Sequence, residues 1–213
     1  KVLSYHDSLL TSADLSLLDG PKWLNDKLIG FAFEYFEYDA FQALAHKVAF
    51  IGPEVTQCIK LSSGAEVGIF VEPLDLPSKD YVFMAINDHS DVDMAGGSHW
   101  SLLVYNSAEK KFSHYDSAGR SNQDSARTVC RKLRPFLRVS DDVGVTAEEC
   151  TQQQNGYDCG LFVICTAEHL CRRLGDTGGS TPDLRRAVTG DTVKSKRREL
   201  RSLILSLSKE PAR

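Results

Sequence analysis

The residue with the clearest chemical potential is Cys159, which stands between a polar turn, TQQQNGYDCG, and a strongly apolar stretch over 160–174. The apolar pattern predicts a helix, so Cys159 lies at a helix N-terminus. Unpaired backbone N–H groups and the helix dipole favour a thiolate there. Cys159 is therefore a candidate nucleophile. Its position also fits a small buried thiol of the kind expected for Cys165 and Cys171.

A nucleophilic thiolate needs a base, and the base needs an orienting partner. His99 begins the predicted strand HWSLLVY, and Asp116 lies near the end of the next one, KFSHYDS. If these strands pair as a hairpin, the start of one lies beside the end of the other, so His99 and Asp116 become neighbours. His114 is the competing histidine, and its position is more typical of a half-buried strand residue.

Attack on a carbonyl group produces an oxyanion, which needs hydrogen-bond donors. The backbone N–H of Cys159 is one donor, and a side-chain amide just upstream is a candidate for the other. The run Gln152, Gln153 and Gln154 supplies three such amides. Composition does not choose among the three, and a polar loop without a catalytic role is the alternative interpretation.

The rest of the sequence predicts a mixed set of helices and strands that would position these residues. Helices are expected over 24–38, 53–60, 121–137, 160–174 and 184–208, and strands over 81–87, 99–105, 111–117 and 143–150. Runs of strands with helices at both ends are typical of an α+β domain. We therefore expect one domain over residues 1–213, in which 175–183 is a linker to a C-terminal helical segment.

The composition limits the classes of function. The 213 residues carry 25 Lys+Arg against 29 Asp+Glu, and no apolar run approaches the roughly 20 residues that a membrane span needs. The opening, KVLSYHDSLL, lacks the layout of a signal peptide. We therefore expect a protein that binds no membrane and that resides in the cytoplasm, the nucleus or both.

Residue spacing argues against metal, cofactor and nucleic-acid binding. The six cysteines form no C-x-x-C pair, which favours free thiols over a structural zinc site. The basic stretch KSKRRELR, 194–201, has no interleaved aromatic residue and is more typical of an exposed helix face than of a nucleic-acid site. We expect no metal, no cofactor and no nucleic-acid partner.

Charge is unevenly distributed along the chain. Residues 1–109 hold 6 Lys+Arg against 16 Asp+Glu, a net charge of −10, whereas residues 110–213 hold 19 against 13, a net charge of +6. Solvated surface accounts for such a pattern. The acidic half also offers a basic partner a complementary face, which would accelerate their encounter.

Trp23 and Trp100 are the two tryptophans of the chain. Because Trp100 follows His99, strand alternation directs their side chains to opposite faces. A core position is the simpler interpretation of Trp100, since tryptophan is usually largely buried, and a wall of a narrow groove is the alternative.

Taken in order, His99, Asp116 and the segment QQQNGYDCG resemble the signature H-W…D…Q-x-N-G-x-D-C-G of the Ulp and sentrin-specific proteases, which act on ubiquitin-like modifiers. Within that family, four segments are similar to the deneddylase branch, namely WLNDKLIGFAFEYF, PEVTQ, EPLDLP and AGGSHWSLLVY. The likeness covers residues 2–174. The chain departs from the branch at Gly156, in the loop NDHSDVDM and in its terminal helix.

The resemblance implies a papain-like α+β cysteine-protease fold with a central mixed sheet and the nucleophile at the N-terminus of a buried helix. It makes Cys159 the nucleophile, His99 the base and Asp116 its orienting partner. The family's oxyanion glutamine stands six residues before the cysteine, which selects Gln153.

The resemblance also assigns substrate-binding residues. Trp23, Asp26 and Trp100 match positions that line the tunnel for the modifier's Gly-Gly tail in such enzymes, which replaces the core interpretation of Trp100. The loop NDHSDVDM is the segment expected to grip the modifier and to set selectivity.

The implied function is a monomeric protease that processes or removes a NEDD-type modifier after its C-terminal Gly-Gly through a thioester. Its partners are the modifier and its conjugates, such as cullins. A protease of the same fold that acts on SUMO or ubiquitin is one alternative. An inactive modifier-binding module is another, although a binder has no need of an intact Cys159, His99, Asp116 and Gln153.

Overall fold

A computed structural model describes residues 1–91 and 96–209. The strands are β1 (Leu3–Tyr5), β2 (Ser8–Leu10), β3 (Val48–Ile51), β4 (Tyr81–Asn87), β5 (Trp100–Asn106), β6 (Lys111–Tyr115) and β7 (Val145–Ala147). The helices are α1 (Ser12–Ser16), α2 (Asp26–Tyr35), α3 (Pro53–Leu61), α4 (Val67–Val71), α5 (Gln123–Leu137), α6 (Cys159–Gly175), α7 (Leu184–Ala187) and α8 (Gly190–Leu207).

Five of the strands form a central sheet in the order β3-β4-β5-β6-β7, while β1 and β2 form a separate hairpin. The three middle strands pair antiparallel, and the outer strands β3 and β7 each run parallel to their neighbour. The sheet is therefore mixed, and helices precede, interrupt and follow its strands. The predicted α+β class with a central mixed sheet is confirmed.

Helices cover both faces of the sheet, and strand β4 shows how the sequence achieves this. Phe83 and Ala85 pack into a cluster with apolar residues of α2, α6 and α8. Val82, Met84 and Ile86 face the opposite cluster, which is built with α3, α4 and α5. Because both faces are buried, the strand is a continuous apolar run instead of an alternating one.

Several elements differ from their predicted extents. The strand predicted over 143–150 is reduced to the three residues of β7, and the helical stretch predicted over 184–208 is broken into α7 and α8. The break lies at Thr189, which caps α8 by accepting a hydrogen bond from the Thr192 N–H. The short elements β1, β2, α1, β3 and α4 have no counterpart among the predictions because three to five residues carry too little periodicity.

The C-terminal segment packs against the rest of the molecule. Val193, Leu200 and Ile204 of α8 are buried in the same cluster as α2 and α6. The basic stretch 194–201, predicted to be an exposed helix face, is only partly so, because Arg197 is buried.

Two further observations concern the cysteines and the helices. The six cysteines are free thiols, as predicted, and five of them are partly or fully buried. Across residues 1–91 and 96–209, the structure contains no helix that is both long and apolar enough to cross a membrane.

Candidate active site

Cys159 is the first residue of α6 and is 1% exposed. The N-cap position belongs to Asp158, whose side chain makes no capping hydrogen bond to the helix. The first-turn N–H groups of a 17-residue helix therefore lie next to the thiol without a competing carboxylate cap. This is the helix-terminus position that the sequence predicts for the nucleophile.

His99 immediately precedes β5 and lies between the thiol and a carboxylate. Its Nε2 is 2.6 Å from Asp116 Oδ1, and the side chain also hydrogen bonds to Cys159. With Nε2 engaged by Asp116, Nδ1 is the ring nitrogen available to the thiol. The adjacency of His99 and Asp116, predicted from hairpin pairing, is confirmed, and Cys159 joins them.

The surroundings of His99 favour its protonated form. Burial lowers the pKa of the imidazole, but hydrogen bonds to Asp116 and Cys159, together with the negative charges of both groups, raise it to about 9. An imidazolium at neutral pH can pair with a thiolate, which is the reactive form of cysteine.

Asp116 is held as an anion by three donors. Its Oδ1 accepts hydrogen bonds from His99 and from the Ala118 N–H (2.9 Å), and its Oδ2 accepts one from the Asn122 N–H (2.9 Å). Burial raises the pKa of the carboxyl group, but these hydrogen bonds outweigh it and leave the pKa below its usual value. A fixed carboxylate orients the imidazole and stabilises its positive charge.

Asn122 supports the base and was missed as a site residue by sequence reasoning. It occupies the N-cap position of α5, yet its side chain makes no capping bond to the helix. Instead, Nδ2 donates to the backbone oxygens of Ile86 (3.0 Å) and His99 (3.1 Å) and to Ser101 Oγ (3.1 Å). The amide thus joins the ends of β4 and β5 beneath His99. In the sequence, Ser121 and Asn122 give no indication that the Asn122 amide would bond to two strands.

His114, the competing histidine, is fully buried instead of half-buried. Its Nε2 lies 2.8 Å from Ser101 Oγ. Burial lowers the pKa of His114 to about 4, with a further lowering from His99 that the charge of Asp116 opposes. A neutral imidazole hydrogen-bonded to a serine is a structural core residue, and His99 is the base that the geometry supports.

The three glutamines occupy different environments. The Gln153 side chain accepts from Ser117 Oγ (2.8 Å) and donates through Nε2 to the Asn155 oxygen (2.7 Å), which fixes its carboxamide. Gln152 is exposed; its side chain accepts from the Gly119 N–H (2.7 Å) and donates to the backbone oxygens of Asp116 (3.0 Å) and Cys150 (3.2 Å). Gln154 is exposed and donates to the Gln152 oxygen (3.3 Å). Gln153 is the partly buried one of the three, and its second Nε2 hydrogen is available for an oxyanion.

The two tryptophans both lie near the nucleophile turn. Trp23 is 50% exposed and donates from Nε1 to the Gly156 oxygen. Trp100 is half-buried and donates from Nε1 to the Leu24 oxygen (3.1 Å). Both indoles therefore connect the segment before α2 with the region around Cys159. The Trp100 side chain is neither fully buried in the core nor fully exposed. This position is consistent with the wall of a groove.

Asp26 begins α2 at the rim of a groove of about 590 Å³. The other acidic residues of this groove are Asp7, Glu34, Glu37 and Glu54, and the basic ones are Lys27 and Lys79. Burial raises the pKa values of Glu34 and Glu37. None of Cys159, His99 and Asp116 lines this groove.

The last two features concern the loop NDHSDVDM and the expectation of no metal site. The loop NDHSDVDM reaches residues 92–94, which lie outside the described residues, so its predicted grip on the modifier stays a prediction. Within the ranges that the structure covers, no three His, Cys, Asp or Glu side chains are grouped so as to hold a metal ion.

Comparison with known families adds the decisive observation. The sequence profile described as "Ulp1 protease family, C-terminal catalytic domain" matches residues 22–204. The chain belongs to the Ulp1 protease family. It is accordingly a cysteine protease, and the geometry around Cys159 is that of a cysteine-protease site.

Relatives within the Ulp1 protease family cover nearly the whole chain. Sentrin-specific protease 8 from Homo sapiens is 50% identical over 211 residues, which are 98% of this chain and 98% of that protein. NEDD8-specific protease 1 from Arabidopsis thaliana is 36% identical over 219 residues, covering 99% of this chain and 93% of that protein. The match therefore continues past residue 174, at which the likeness identified in the sequence ends.

A solved Ulp1 protease domain shares the fold at low sequence identity. The Ulp1 domain in complex with Smt3, the yeast ortholog of SUMO, superposes with a TM-score of 0.76 at 18% identity and covers 98% of this chain and 88% of that domain. At this identity the likeness bears on the fold alone, which is that of a Ulp1-family protease.

Proposed function

We propose that this cysteine protease cleaves after the C-terminal Gly-Gly of a NEDD-type ubiquitin-like modifier, in precursor processing and in deconjugation. The chemistry rests on one observation, the contact of His99 with both Asp116 and Cys159. The choice of modifier is supported by the relative named NEDD8-specific protease 1 and by the four deneddylase-like segments of the sequence.

In the proposed reaction, the Cys159 thiolate attacks the carbonyl carbon of the terminal glycine and forms a C–S bond. The carbonyl oxygen becomes an oxyanion that accepts hydrogen bonds from the Cys159 N–H and from Gln153 Nε2. As the C–N bond breaks, protonated His99 gives its proton to the leaving amine. His99 then accepts a proton from water, whose oxygen attacks the thioester and releases the modifier's carboxylate and the thiolate.

The substrate tail would pass between Trp23 and Trp100. Glycine has no side chain, so a passage walled by two indoles excludes any larger residue at these positions. Asp26 and the acidic groove beside it would attract basic residues near the tail. Specificity would then come from size and charge together.

Partners and location follow from the same proposal. Conjugated substrates such as cullins, a monomeric enzyme, and residence in the cytoplasm or nucleus are proposed together with the NEDD-type activity. Free thiols are typical of reducing compartments, which supports the location.

SUMO is the second candidate modifier, because the fold is shared with a Ulp1 domain that binds Smt3. The test compares kcat/KM for C-terminal reporter substrates of NEDD-type modifier, SUMO and ubiquitin. We expect the NEDD-type substrate to be preferred by about 100-fold or more. Its analogue with Ala in place of the last Gly is the matched control and should resist cleavage. A preference for SUMO or ubiquitin would overturn the choice of modifier while leaving the chemistry intact.

A further inference from the structure

Arg197 of α8 is a buried cation far in sequence from the catalytic residues. It is 9% exposed, and its guanidinium donates to three acceptors in two separate segments. Nη1 donates to the Leu17 oxygen (2.7 Å), and Nη2 donates to the Lys22 oxygen (3.0 Å) and to Asp158 Oδ1 (2.7 Å). The planar guanidinium fork can meet three acceptors in fixed directions, whereas a lysine ammonium cannot do so equally well.

Two of these partners, Asp158 and Lys22, are adjacent in sequence to predicted site residues. Asp158 immediately precedes Cys159, and its other carboxylate oxygen accepts from Asn155 Nδ2 (2.8 Å), within the same turn. Lys22 immediately precedes Trp23, whose indole donates to the Gly156 oxygen. The guanidinium also lies 5.9 Å from the centre of the Tyr157 ring. Arg197 therefore links the nucleophile turn to the segment that carries Trp23.

The C-terminal segment also holds the other end of the loop between β7 and α6. Thr151 Oγ1 donates to the Val188 oxygen (2.5 Å), between α7 and α8. The loop that contains Gln153 is thus fixed at both ends by residues beyond α6. Its middle is tied to the end of β6, because the Gln153 N–H donates to the Ser117 oxygen (2.8 Å).

We propose that Arg197 is a positioning residue for the protease reaction, which acts through Asp158 and Lys22 to hold the Cys159 turn and Trp23 in register. The proposal rests on the proposed function only in that its rate assay uses the NEDD-type substrate. It gives the terminal helix a role in catalysis without contact with the substrate. Because displacement of a reacting group by about 1 Å can cost about 100-fold in rate, loss of this link should reduce turnover.

The test compares Arg197→Met with Arg198→Met, the same substitution at the adjacent, exposed arginine. Turnover is measured well below the melting temperature of each variant. Separately, iodoacetamide labelling of Cys159 is followed by peptide mass spectrometry, with exposed Cys58 as the internal reference. For Arg197→Met we expect kcat to fall about 10- to 100-fold, KM to change less than about threefold, and Cys159 labelling to slow relative to Cys58. Arg198→Met should match the wild type.

A variant with a lowered Tm but wild-type kcat and labelling would overturn the proposal, because Arg197 would then be purely structural. A raised KM with unchanged kcat would also overturn it. If the wild type labels at Cys159 but cleaves no NEDD-type substrate, the proposed function fails and the labelling comparison still tests Arg197.

Arg197→Met leaves Asp158 buried without its cation, which can prevent folding. The double variant Arg197→Met/Asp158→Asn removes that unbalanced charge and is compared with Asp158→Asn alone. We expect the double variant to fold and to have a lower kcat than Asp158→Asn. Equal kcat values for the two would refute the positioning role.

Discussion

Two hydrogen-bond partners, Asp116 and Cys159, favour protonation of the His99 imidazole. They raise the pKa of its imidazole to about 9 against the burial that lowers it. In the proposed reaction, protonated His99 gives its proton to the leaving amine. We therefore expect kcat/KM to decline above about pH 9, and Asp116→Asn to move this decline to lower pH as well as reducing kcat. A pH–rate profile of both proteins checks this, and an identical alkaline limb in the variant would contradict it.

The same raised pKa of His99 links protonation to stability. The folded-state pKa exceeds the ordinary histidine value of about 6.5, so the stabilisation is fully present below that pH. It is lost as the pH rises through about 9. Asp116 has the opposite pH dependence. Because its folded-state pKa is lowered, the stability that it contributes is present above the ordinary aspartate pKa and is lost as the pH falls through the folded-state pKa.

Cys159 and Gln153 should differ in how much activity their removal leaves. Cys159→Ala removes the bond-forming atom and should abolish turnover. Gln153→Ala removes one oxyanion donor, which is worth about 2.7–4 kcal/mol, so a remnant of about 0.1–1% should persist. Single-turnover rates at saturating substrate measure both, with Gln154→Ala as the exposed control. Equal, mild losses for Cys159→Ala and Gln153→Ala would contradict the assignment.

At the element scale, the approach of α6 to the segment before α2 depends on a glycine. A Cβ added at Gly160 would lie 3.1 Å from Leu24 Cβ, 3.3 Å from Ile29 Cδ1 and 3.6 Å from Trp100 Cδ1. Gly160→Ala should therefore push α6 away from Trp100. We expect a loss of about 1–3 kcal/mol in unfolding free energy, together with reduced kcat/KM.

Urea unfolding and steady-state kinetics check the effect of Gly160→Ala. Gly175→Ala is the matched control, because a Cβ at that end of α6 meets nothing within 4 Å. Wild-type stability and activity in Gly160→Ala would show that the close approach of α6 is not required.

Helices and strands with a strong hydrophobic pattern could be predicted from the sequence. The hairpin that brings His99 beside Asp116 could then be predicted, because two of these strands form it. Paired strands bring sequence-distant ends together, so pattern alone places that contact. The supporting amide of Asn122 did not follow, since it bonds to two strands remote in sequence. The break at Thr189 was also missed, because the amphipathic pattern continues on both sides of it.

At the scale of the whole molecule, the acidic first half should speed encounter with a basic partner. Raising the ionic strength screens such attraction beyond a Debye length of about 10 Å at 0.1 M. We expect kcat/KM for the NEDD-type substrate to fall with added salt while kcat stays constant. Asp26→Asn should raise KM more than it lowers kcat and should weaken the salt dependence. Asp124→Asn, exposed on α5, is the control.

A salt-independent kcat/KM, or an unchanged KM in Asp26→Asn, would show that electrostatic attraction does not contribute to specificity. The decline in kcat/KM is measured with NaCl between low and physiological ionic strength, using substrate concentrations that bracket KM at every salt concentration.

The proposed role of the C-terminal segment could not be derived from the sequence. Arg197 lies in a basic run that predicts an exposed helix face, yet the folded chain buries it against Asp158, 39 positions away. No local pattern distinguishes Arg197 from Arg198, because the difference arises only when α8 packs beside the nucleophile turn.

In the proposed reaction, Cys159, activated by His99, attacks the C-terminal glycine of a NEDD-type modifier. We would test this step by incubating the protein with a NEDD-type modifier that carries a C-terminal electrophile and mapping the adduct by mass spectrometry. We predict one adduct, located on Cys159, that is absent from Cys159→Ala and from His99→Ala at neutral pH. An adduct on another cysteine, or one that persists in Cys159→Ala, would contradict the account.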